Sequence, residues 1–252
     1  MACVSGAIGF FVVTRGASFS AHAIPNGAFA GAAGANLLGI DPIFGLVSLS
    51  LLAAFIIGAS SQRRNEIVTA LSLVFMLSLG AAFLSQSTSY SSLVGTLLFG
   101  QILGVGSSSV FSVSLIGVGS LALLALIYRP LLLSSVSSEL AEAHGVPVKM
   151  INIVFFIVVA LATALTVPIV GALLSYSLMI GPPAAARLIS TRPQRAFLSA
   201  VALAVGTMWI SIVCSYEINW PVGFFVGTLS AAVYLIARAS RVIGRSRLGA
   251  FV

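Results

Sequence analysis

Apolar and polar positions alternate along this chain on a scale of about twenty residues, the length at which a helix rising 1.5 Å per residue crosses about 30 Å of hydrocarbon. Apolar runs at about 3 to 14, 17 to 38, 42 to 60, 66 to 85, 109 to 128, 148 to 166, 168 to 187, 197 to 215 and 221 to 238 predict an all-α membrane bundle of about eight or nine spans with short loops. The first run is the exception. Cys3 to Thr14 covers only about 18 Å as a helix, short of the bilayer core, and reads as a half-span or as the remainder of a longer one.

The clearest polar interruption runs from about Arg129 to Lys149. Within it Ser138 is the expected N-cap, Glu139 favours the positive end of a helix, Gly145 takes a left-handed stop and Pro147 prevents continuation. The result is a short capped helix from Glu139 to His144, outside the bilayer. A second irregular segment, Tyr90 to Val110, is apolar in its middle but broken by Gly and Ser, and reads as outside or re-entrant. Its Gly104 and Gly106 do not form a dinucleotide loop, because Ser109 stands where the third glycine belongs and no strand precedes it.

Composition removes the soluble alternatives: 59% of residues are hydrophobic and 7% are charged, so 252 residues leave no room for a large soluble domain beside the spans. A net charge of +7 on a soluble face would suggest nucleic acid, but here the positions of the charges decide. With the spans above, all 12 basic residues fall on one side: Arg15, Arg63, Arg64, Arg129, Lys149, Arg187, Arg192, Arg195, Arg238, Arg241, Arg245 and Arg247. The positive-inside rule makes that side, and the C-terminus, cytoplasmic, and no nucleic-acid partner is expected. Asp41, Glu217 and Ser85 to Ser92 then face outward. Trp220 and Tyr216 fall where interfacial aromatics belong, and the Arg-rich tail suits either anionic membrane lipid or a protein contact. Cys3 and Cys214 are too few for a disulfide framework or a metal cluster.

The candidate chemistry lies in the second run, SFSAHAIPNGAFAGAAGANLLGI. Ser18, His22 and Asn26 recur every four residues and share one helix face, with Gly27 and Gly31 roughly opposite. The polar face suits a water-filled path and the small face suits close helix packing, while Pro25 removes one helical hydrogen bond between them. His22 reads as a pathway residue and a candidate metal ligand; the competing reading is a neutral histidine satisfied inside the bundle. Pro182 and Pro183 suggest either a bend near the path or a helix broken at its cytoplasmic end.

Four stretches carry a resemblance to permease subunits of metal-ion ABC importers. The second run is similar to that family's F-x-G-D-x-x-x-H or F-x-G-H-A-L-x-x-x-G-F-x-G-A. Aligned from Phe19 and the shared basic Arg15, His22 takes the first polar position and Asn26 the second, while the family glycine is Ala21. LLFGQILGV resembles L-L-F-G-x-I-L-x-V. YRPLLLSSVSSELAEAHGV resembles the cytoplasmic coupling segment, with Ser137 and Ser138 where the family usually has Asp-Pro. The run Thr166 to Ser190 resembles V-G-x-L-L-x-x-A-L-L-I-x-P-A-A-x-A-R-L through Gly171, Leu173, Leu174, Pro183, Ala184, Ala186, Arg187 and Leu188.

The resemblance implies a type II ABC-importer permease, a single transmembrane domain over 1–252, in a bacterial inner membrane. It implies a homodimer with the pathway at its interface, lined by Ser18, His22 and Asn26, and zinc or manganese as the transported ion. Glu139, Leu140, Ala141, Glu142, Ala143 and Gly145 would dock into a cassette ATPase, and an external metal-binding protein would deliver the ion. Such permeases begin with a longer first span, implying further residues upstream. No G-x-x-x-x-G-K-[ST] loop is present, so ATP hydrolysis is assigned to a separate subunit and this chain is expected to be neither an enzyme nor the holder of a resident cofactor. A gradient-driven transporter would carry intramembrane acids or inverted repeats, which the chain lacks. With only His22 and His144, an intramembrane metalloprotease cannot be built. Siderophore and cobalamin permeases remain the nearest competitors; they share the broad fold, are usually longer and lack the second-span motif.

Overall fold

The computed structural model describes residues 1–60, 65–86 and 107–249. Arg63, Arg64 and most of the segment Tyr90 to Val110 lie outside the described residues, so the expectations for them stand apart. Among the described residues the regular structure is entirely α-helical: α1 (Ala2–Thr14), α2 (Ser18–Leu37), α3 (Pro42–Ala59), α4 (Asn65–Ser85), α5 (Ser107–Val136), α6 (Ser138–Ala143), α7 (Val148–Val170), α8 (Ala172–Ile189), α9 (Pro193–Ile218) and α10 (Val222–Gly249).

Five of these are long and apolar enough to cross a membrane: Pro42–Ala59, Glu66–Ser85, Ser114–Val136, Pro193–Ile218 and Val222–Val242. The Gly, Ser, His and Asn of α2 dilute its apolar character, while α1 and α7 are apolar over Ala2–Thr14 and Val148–Ala164. Large apolar side chains stand uncovered on the long helices, Leu71 at 65%, Phe75 at 60% and Leu126 at 79% exposure. Such surfaces belong against lipid rather than water.

Helix ends differ from the apolar pattern where local backbone chemistry overrides hydropathy. α5 does not stop near residue 128 but continues through Tyr128, Arg129 and Pro130 to Val136, with Leu131 fully buried beyond the proline. The cap of α6 is Ser137 rather than Ser138: its side chain accepts from Leu140 N–H at 3.1 Å, so the helix begins one residue earlier than expected and ends at Ala143. Two adjacent serines offer the same chemistry, and the extended backbone of Ser137 decides between them. Gly145 takes the left-handed stop, φ +76°. The break expected near residue 167 falls instead at Gly171, φ +89°, and α8 runs unbroken through Pro182 and Pro183. The Arg-rich tail continues the last helix, because α10 extends past residue 238 to Gly249.

The chain divides into two compact units, one from Arg15 to Ser175 together with Met1, the other made of Ala2–Thr14 and the chain from Tyr176 onward. In the first, α2 packs on α3, α4 and α7. Gly31 of α2 and Gly45 of α3 meet backbone to backbone, with no room for a Cβ on either. Ala28, Ala32, Leu46 and Val167 form the adjoining core, and Ser20 and Thr69 share a buried hydrogen bond of 3.1 Å between α2 and α4. Small residues at such crossings allow close packing where lipid gives no hydrophobic drive between helices.

In the second unit α1 packs on α9, where Phe10 and Phe11 lie edge to face with centroids 5.1 Å apart and Phe10 meets Phe197 at 5.6 Å. Gly9 of α1 abuts the carbonyl of Met179 and the ring of Pro183 in α8. That carbonyl is the one Pro183 leaves without its helical N–H donor.

Candidate pathway helix and cytoplasmic coupling site

α2 is buried over most of its surface, including Ala21, Ala23, Ile24, Pro25, Gly27 and Ala28. Ser18, His22 and Asn26 are its half-buried side, so the three polar residues share the least covered face of the helix. The helix continues through Pro25. Beside that proline, Asn26 donates from Nδ2 to the carbonyl oxygen of His22 at 2.8 Å, stiffening the turn with a side-chain bond. The amide nitrogen is thereby committed, and Oδ1 is the atom Asn26 can offer a cation. Among the described residues no group of three or more His, Cys, Asp or Glu gathers to hold a metal ion.

α6 lies between α5 and α7 and contacts both. Its six residues turn one position inward: Ala141 is fully buried. Expected at the docking surface, Ala141 instead seats the helix on its own protein, since at 3.6 residues per turn one side of so short a helix must face its support. Glu139, Leu140, Glu142, Ala143 and Gly145 are exposed, with Leu140 at 48%. His144 Nδ1 lies 2.8 Å from the Leu140 carbonyl, closing the last turn.

Next to α6 opens a cavity of about 550 Å³, with Arg15, Glu66, Glu142, Lys149 and Asn152 on its walls. Arg15 donates to Ser134 Oγ at 2.8 Å and to Asn152 Oδ1 at 3.0 Å, and its guanidinium stands 5.3 Å from the ring centroid of Phe155. Burial pushes its pKa down to about 10, which leaves it cationic at neutral pH. The sequence marks Arg15 as a basic loop residue and as an anchor of the family motif, but not as the centre of this network. Its partners are more than a hundred positions away, and no periodicity links them.

A sequence profile described as the ABC 3 transport family matches residues 1–241. The chain belongs to the ABC 3 transport family. It is 29% identical over 237 residues to the manganese transport system membrane protein MntC of Listeria monocytogenes, covering 93% of this chain and 84% of that protein. It is 30% identical over 239 residues to the manganese import system permease protein ScaB of Streptococcus parasanguinis, with the same coverage of 93% and 84%. Identity to the high-affinity zinc uptake system membrane protein ZnuB of Buchnera aphidicola is 28% over 246 residues, 95% of this chain and 93% of that one. Among solved structures, PsaBC from Streptococcus pneumoniae in complex with Fab matches with a TM-score of 0.82 and 26% identity, over 94% of this chain and 86% of that chain.

Membership of the ABC 3 family and five apolar helices of spanning length make this a multi-pass membrane transport protein. The match spans both compact units, so α2 and α6 lie inside one continuous family region.

Proposed function

We propose that this chain is the non-catalytic membrane permease of an ATP-binding-cassette importer that brings divalent manganese or zinc into a bacterial cytoplasm. The observation that carries the reading is similarity along almost the whole chain, 93% to 95% of it, to permeases named for manganese import and zinc uptake. The same names favour a bare ion over a siderophore or cobalamin. Hydrolysis belongs to a separate cassette ATPase that docks on the exposed residues of α6, and an external metal-binding protein delivers the ion.

In this reading eight or nine spans put the C-terminus in the cytoplasm, supported by the confinement of all 12 basic residues to one side of the hydropathy pattern. The permease acts as a homodimer whose interface carries the Ser18, His22 and Asn26 face. One chain offers an imidazole and an amide oxygen; two chains offer a mixed nitrogen and oxygen set that both zinc and manganese accept. Without a carboxylate in this pair the ion is held weakly, as an ion that must leave requires.

Vesicles containing the permease, its ATPase and its binding protein should take up radioactive manganese or zinc only with ATP. If no divalent metal enters in an ATP-dependent manner, the proposal fails.

A further inference from the structure

Arg15 is a partly buried cation whose hydrogen bonds among the described residues go to two neutral side chains. The positions of those partners give it a use. Ser134 lies in the last turn of α5, three residues before the Ser137 cap of α6, and is itself fixed by donating to the Leu131 carbonyl at 3.0 Å. Asn152 lies in the opening turns of α7, just after α6, and passes the contact on by donating from Nδ2 to the Gly58 carbonyl of α3 at 3.0 Å. One planar guanidinium therefore grips the segments entering and leaving α6. Arg15 itself stands three positions before Ser18, the first residue of α2.

We infer that Arg15 is a positioning residue for transport, tying both ends of α6 to the base of α2 so that a displacement of α6 is carried to the helix bearing His22 and Asn26. The inference rests on the reading of α6 as the ATPase contact. The route is a short one: two side-chain hydrogen bonds, a cation over the Phe155 ring, and a chain link from Arg15 through Gly16 and Ala17 to α2. Lysine would keep the charge but, as a single compact donor group, cannot match the fork that reaches two helices at once.

The test uses the full permease in proteoliposomes with its ATPase and binding protein, measuring ATP hydrolysis and metal uptake together. Arg15→Lys should retain the ATPase and its hydrolysis while uptake per ATP falls roughly two- to thirty-fold, the range for residues that carry coupling. Ser134→Ala, which loses one arm only, should shift the ratio the same way by less, and it serves where Arg15→Lys reduces the yield of folded protein. A bracing role alone would lower thermal stability and leave uptake per ATP at the wild-type value in both variants, and that result overturns the inference. Ala143→Trp separates this from the docking reading. If that variant leaves hydrolysis and uptake unchanged, α6 is not the ATPase contact and both ideas fall; if it blocks hydrolysis while Arg15→Lys keeps a normal ratio, only the role of Arg15 falls.

Discussion

Asn26 spends its amide nitrogen on the carbonyl of His22, 2.8 Å away on the same face of α2. The bond makes the two residues one unit, in which the backbone of His22 orients Asn26 and engages its amide nitrogen rather than its amide oxygen.

If that pair touches the ion, His22→Ala should lower uptake per folded molecule by at least about tenfold, the scale on which metal-site contacts act. Asn26→His should shift preference toward zinc, because imidazole suits zinc better than manganese. Protonated imidazole cannot coordinate, so uptake by the unaltered chain should fall toward acid pH while His22→Gln loses that dependence. Uptake by His22→Ala equal to the unaltered chain at every metal concentration would remove the pair from the path.

The burial of Ala141 divides α6 into a buried seat and an exposed face, the face proposed to dock the ATPase. Leu140→Asp should abolish stimulation of the ATPase with the permease still folded. Ala141→Trp should instead destabilise the permease by about 1–3 kcal/mol through overpacking, seen as earlier melting in detergent. Equal behaviour of the two variants would contradict the division.

Gly45→Val would drive a side chain into the backbone of Gly31 and should cost at least about 1–3 kcal/mol in a denaturation titration. Thr69→Val removes only the hydrogen bond to Ser20 and should cost about 0.6 kcal/mol, the average for such bonds between membrane helices. A smaller effect at Gly45 than at Thr69 would mean that the α2 and α3 crossing can relax.

Topology is open to single-cysteine labelling in a background without Cys3 and Cys214. Ser137→Cys should react with an impermeant reagent only from the cytoplasmic side and Asn219→Cys only from outside. The reverse pattern would invert the orientation.

The helices were legible because twenty-residue apolar runs have few other outcomes, and the polar stripe of α2 because a four-residue recurrence survives folding as a face. Gly145 was legible as a stop for the same local reason. Boundaries set by backbone detail were not: Ser137 and Ser138 are chemically alike, and Pro182 and Pro183 look like breakers until a neighbouring helix shelters them. The inward turn of Ala141 depends on which side of a six-residue helix meets its support. The Arg15 network depends on tertiary contacts between remote segments, which no local pattern encodes.

The meeting of Gly9 with the Met179 carbonyl gives the thirteen-residue α1 a task that its length conceals. A peptide oxygen robbed of its donor by proline is costly in hydrocarbon, where water is not at hand to replace it. A glycine pressed against that oxygen brings weakly acidic Cα hydrogens and keeps acyl chains away. α1 therefore acts as a shield over that dipole, and a side chain larger than hydrogen at Gly9 would push α1 away from the carbonyl it covers.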